Sequence, residues 1–89
     1  MGNEFAKLDE IVDLREAGRT NAARAEWQAL DEPFRVRVLK FVMFVLEHPQ
    51  FYATTPQVVL VTPFGEWKMN QEKLRRLVAA VQELIRVDS

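Results

Sequence analysis

Residues 34 to 46 read Phe-Arg-Val-Arg-Val-Leu-Lys-Phe-Val-Met-Phe-Val-Leu. This is the most apolar run in a chain of 89 residues, and the rest depends on how it is read. It is too long for an ordinary strand, and its polar residues do not alternate. Asp31 and Glu32 precede Pro33: an acidic cap, then a proline in the first turn, where its missing N–H costs nothing. The spacing predicts a helix. At about 100° per residue, Arg37, Lys40, Glu47 and His48 fall on one narrow stripe. Val38, Leu39, Phe41, Val42, Val45 and Leu46 fill most of the remaining girth. Such a helix is expected at the centre of the core, buried on several sides. It is too short and too charged to span a bilayer, which takes about 20 apolar residues.

Phe44 falls on the charged stripe, beside Arg37, Lys40 and Glu47. Two readings follow. In one, the stripe is the edge of the fold and the next loop covers Phe44; singly exposed apolar residues are common. In the other, Phe44 is an aromatic anchor ringed by charge, as at binding hot spots.

Upstream, residues 4 to 17 repeat helically, with Phe5, Leu8, Ile11 and Val12 on one face. Asp9, Glu10, Asp13 and Glu16 lie opposite, as a solvated acidic face whose side chains diverge too far for a calcium site. Gly18 ends that helix, where a left-handed residue is cheap. Thr20 or Asn21 caps a second helix, in which Trp27 is a core residue joining it to the central one.

Downstream, Pro49 stops the central helix and opens a loop to Pro56, pinned by Phe51 and Tyr52. Val58 to Val61 is a β-branched strand. Thr62-Pro63-Phe64-Gly65 suits a turn, and Glu66 to Met69 returns as a second strand. The first strand is apolar on both faces, and a lone hairpin is marginal in water. Helices must clamp it from both sides, or its edge must pair with another chain. Asn70 caps a last amphipathic helix, with Leu74, Leu77, Val78, Val81, Leu84 and Ile85 inward. Glu72, Arg75, Arg76, Gln82, Glu83 and Arg86 are expected to face outward.

The fold class expected is therefore α+β, mainly α: about four helices, three before and one after, around a short antiparallel hairpin. The length predicts a single domain over residues 1–89 with a modest core. Six Phe and two Trp argue against disorder. A net charge of −1 provides no global field for nucleic acid or an anionic membrane. The first residues lack signal-peptide character, and there is no cysteine, so the default expectation is cytoplasmic.

The chemistry of catalysis is thin. With one histidine, no cysteine and one serine, no nucleophilic triad assembles. His48 alone cannot found a zinc site, and three scattered glycines form no phosphate loop. No enzyme activity, metal or cofactor is expected.

Three functional readings remain. The first is a small interaction module (an adaptor, regulator or inhibitor) that docks on a partner protein and itself forms a homodimer. Its candidate contacts are Arg37, Lys40, Phe44, Phe64 and Trp67; Phe64 sits at a turn tip, where an aromatic has little structural reason to be. The alternative rests on element order, which resembles a winged-helix arrangement with Thr62 to Gly65 as the wing tip. That resemblance implies duplex DNA binding, with Arg15, Arg19, Arg24, Arg35 and Arg37 as a local basic patch. Against it, a recognition helix offers polar side chains to the groove, whereas this one offers Val, Phe and Leu. The third is a small apolar ligand held among Met43, Trp67 and Met69, residues that serve equally as core.

Overall fold

The computed structural model describes residues 4–87, without the side chains of Phe51, Arg86 and Val87. The expected roles of those Phe51 and Arg86 side chains thus lie outside the described residues. The elements run α1 (Glu4–Glu16), α2 (Thr20–Gln28), α3 (Glu32–Glu47), α4 (Pro49–Ala53), β1 (Gln57–Thr62), β2 (Gly65–Asn70) and α5 (Gln71–Val87). This is an α+β, mainly α fold: three helices and the single-turn α4 precede an antiparallel hairpin, and one helix follows. The stretch expected as a loop contains the single helical turn α4. Pro49, which stops α3, opens α4, where its missing N–H is harmless.

α1 and α5 form the middle of the molecule. Leu8, Ile11 and Val12 of α1 are fully buried, as are Leu77, Ala80, Val81 and Leu84 of α5. α2 packs chiefly on α1 and contributes Ala23 and Trp27 to the same buried cluster. Gly18 makes the α1–α2 turn with φ +81°. Neither Thr20 nor Asn21 caps α2; Arg19 stands at the cap position and makes no side-chain cap bond.

α3 is not buried on several sides. Phe34, Val38, Val42 and Val45 form one buried stripe, while Val36, Met43, Phe44 and Leu46 are exposed. The hairpin and α4 cover one side of α3, and a chain this short has nothing left for the other. Its start is held from outside: the Asp31 N–H donates to the Glu4 carboxylate at 2.9 Å, and Asp31 makes no side-chain cap bond. Arg35 donates to the Gln28 carbonyl at 3.0 Å, closing the end of α2.

The acidic face of α1 is exposed as expected, but three of its carboxylates are also paired. Asp9 pairs with Lys73, and Asp13 and Glu16 pair with Arg76 at 3.0 and 2.6 Å. Arg15 pairs with Glu83. Arg76 and Glu83 therefore turn toward α1 instead of outward. Asn70 caps α5, accepting the Lys73 N–H at 2.8 Å.

In the hairpin, Thr62 pairs with Gly65 and Val58 with Met69. Pro63 and Phe64 keep negative φ, and Gly65, at φ +126°, absorbs the backbone mismatch. The Thr62 hydroxyl donates to the Gly65 carbonyl and accepts the Phe64 N–H, so this buried polar group is satisfied. Val58, Leu60 and Thr62 face the core, and Val59 and Val61 face solvent. Helices thus cover one face of the ribbon and leave the other bare.

Candidate protein-docking groove

α3 lies against β1, and no third strand pairs with β1 among the described residues. Between them runs an open groove of about 270 Å³. Arg37, Lys40 and Phe44 line its helical wall, Val59 and Val61 its strand wall, and Tyr52 one end. The one-residue alternation of β1 puts Val59 and Val61 outward once Leu60 is buried.

Phe44 is 47% exposed. Tyr52 meets it edge-on at 5.8 Å, and His48, one turn on, stacks at 4.4 Å. The His48 ring is held there through Nδ1, 3.1 Å from the Phe44 carbonyl oxygen. α4 therefore covers one side of Phe44 and leaves the rest in solvent. Tyr52 is itself half-buried, and that burial pushes its phenol pKa up. Gln71 ties α4 in place by donating to the carbonyls of Tyr52 and Thr55.

Arg37 and Lys40 make no ion pair among the described residues. They stand on the same flank of α3 as Phe44. Lys68 lies across the ribbon from Val59 and Glu66 across from Val61.

The other two expected contacts lie elsewhere. Phe64 is 45% exposed, but its ring meets Phe34 edge-on at 5.8 Å. Trp67 packs against Phe5 at 5.6 Å, with the Lys73 ammonium over its ring. Together with the Phe5–Phe34 contact at 5.3 Å, these form an aromatic chain that fastens the turn to α1 and α3. Val59, Val61 and Tyr52 were not singled out from sequence. The alternation of buried and bare positions in β1 is the signal that finds the two valines, and Tyr52 belongs to the segment expected to cover Phe44, which it does in part.

The residues of the supposed apolar-ligand site also disperse. Met43 is exposed and Met69 buried. A second apolar groove of about 270 Å³ opens instead between α4 and α5, lined by Val45, Tyr52, Leu74 and Val78. Of the arginines in the supposed basic patch, Arg15 is committed to Glu83 and Arg35 to backbone carbonyls. Among the described residues no group of three metal-ligand side chains gathers, and no helix is long and apolar enough to cross a membrane.

Comparisons with protein families, with curated proteins and with solved structures find no match to this chain.

Proposed function

We propose that the chain is a small non-enzymatic docking module that engages another protein along α3 and β1. One observation carries this reading. Among the described residues, eight large hydrophobic side chains are exposed: Val36, Met43, Phe44, Leu46, Val59, Val61, Phe64 and Ile85. All but Ile85 lie on α3, β1 or the turn after it. Of these, Phe44, Val59 and Val61 line one groove, while Val36, Met43 and Leu46 lie on other sides of α3. Scattered exposed apolar residues need no explanation, but ones that converge on a groove mark an interaction surface.

The rest of the molecule does not need the partner. Its radius of gyration is 12.4 Å, against about 12 Å for a folded chain of this length, and its buried residues form one cluster. This chain therefore enters the contact already folded, as suits an adaptor, regulator or inhibitor. A second copy of the chain is the simplest partner to test, and a different protein is the other.

A photo-crosslinking residue placed at Val61 tests the reading in the native host, with Glu10 on the far side of α1 as control. The expected result is a discrete protein adduct from position 61, unchanged by nuclease, and none from position 10. Its mass distinguishes a second copy from another protein. Equal labelling from both positions, or none from position 61, overturns the reading.

A further inference from the structure

The occupant of the α3–β1 groove can be specified by its chemistry, and this step rests on the docking reading above. We infer that the groove takes an extended segment of a partner protein in which acidic residues alternate with apolar ones. Three observations converge. First, among the described residues no strand pairs with the outer edge of β1, and an unpaired edge is a template for one more strand. Second, the groove beside that edge is walled by Phe44, Val59 and Val61, which offer apolar contact but no acceptor. Third, its charged lining is of one sign. Arg37 and Lys40 both face it without an ion-pair partner among the described residues, and no carboxylate lines it.

The remaining charges nearby set the register. Lys68 flanks Val59, and Glu66 flanks Val61 toward the turn. Glu47 lies beyond Phe44, at the far end of α3. Lys68 shares the outer face of Val59 on the far strand, so the cationic stretch facing the groove is the Arg37–Lys40 flank of α3. An added strand has period two. One set of its side chains falls beside Val59 and Val61 on the bare outer face, and the alternate set turns toward the α3 flank. Apolar residues suit the first set and carboxylates the second. Arg15, Lys73 and Arg76, by contrast, are paired across α1 and α5.

The test uses the full chain, isotope-labelled for NMR, and two pools of synthetic heptapeptides. Both pools carry Val, Ile, Leu or Phe at alternate positions. One has Asp or Glu between them, the other Lys or Arg. The acidic pool is expected to shift the amides of Val59 to Val61, and binding should weaken at least tenfold as salt rises from about 0.05 to about 0.3 M. The double variant Arg37→Glu, Lys40→Glu changes two exposed side chains and should keep the fold. It should lose the acidic pool at least tenfold and gain the basic one. Equal response to both pools, or shifts confined to other elements, overturns the inference. If position 61 crosslinks in the host while the acidic pool leaves β1 unmoved, this inference falls and the docking reading stands. If neither occurs, both fall.

Discussion

The carboxylate of Glu4 accepts the backbone N–H of Asp31 at 2.9 Å, so the first turn of α1 holds the chain where α3 begins. Glu4 is only 4% exposed, and this bond from Asp31 is the main reason its pKa lies below the ordinary glutamate value of 4.5. Glu4→Ala removes the acceptor and should cost about 1–2 kcal/mol in urea unfolding, whereas Glu4→Gln keeps an acceptor and should cost less.

The same bond sets a pH dependence. A carboxyl whose folded pKa is lowered stabilises the fold fully above its unfolded value, near 4.5, and ceases to do so as pH falls through the folded value. Stability should therefore decline below about pH 4.5, and Glu4→Gln should flatten part of that decline. The remainder belongs to groups such as Glu16, whose pKa is lowered chiefly by its hydrogen bond from Arg76. Urea midpoints followed from neutral pH into the acid range provide the check.

Gly18→Ala should destabilise the protein by about 1–2 kcal/mol, because an L-residue strains at φ +81°. A Cβ there would meet nothing within 4 Å, so the cost is backbone conformation alone. D-alanine at the same position, introduced by chemical ligation, should restore the stability of the parent chain.

Two apolar truncations should behave oppositely. Leu77→Ala empties a fully buried site in α5 and should cost about 2–5 kcal/mol. Phe44→Ala trims a half-exposed ring and should cost about 1 kcal/mol or less, with circular dichroism unchanged. Under the docking proposal it should nonetheless abolish the crosslink from position 61.

The α1–α5 ion pairs should show in salt. Arg76 bridges Asp13 and Glu16 at the surface. The melting temperature of Arg76→Ala should lie below that of the parent at about 0.02 M salt and approach it at about 1 M, where charges are screened beyond roughly 3 Å.

Much of this fold is legible in the sequence because its local signals agree with one another. Gly18 marks a left-handed turn, Pro63 and Gly65 bracket a hairpin, and Asn70 opens a helix whose apolar spacing is regular. What stays hidden is which elements lie at the centre. α3 is the most apolar helix by composition, yet it holds no more fully buried side chains than α1 and fewer than α5. Hydrophobic content says that a helix seeks cover, whereas the amount of chain left to supply that cover decides whether it is found. Charges carry a similar ambiguity. Asp9, Asp13 and Glu16 are the wet surface they look like, but nothing nearby in sequence says that α5, more than fifty residues on, brings Lys73 and Arg76 against them. In the candidate site, Arg37, Lys40 and Phe44 share a stripe by helical arithmetic, and they do line one groove. Phe64 and Trp67 enter that reading through the turn tip and the under-covered hairpin, and their rings meet Phe34 and Phe5.

The clasp between the first and last helices joins residues 60 to 68 positions apart in sequence. A ribosome that has delivered α1, α2 and α3 has not yet delivered Leu77, Val81 or Leu84, so the centre cannot close. Assembly must wait on distant encounters, which slows a mostly helical chain relative to its size. A polypeptide without α5 lacks Leu77, Val81 and Leu84 and would leave Leu8, Ile11 and Val12 without that cover, so it is no smaller edition of the fold.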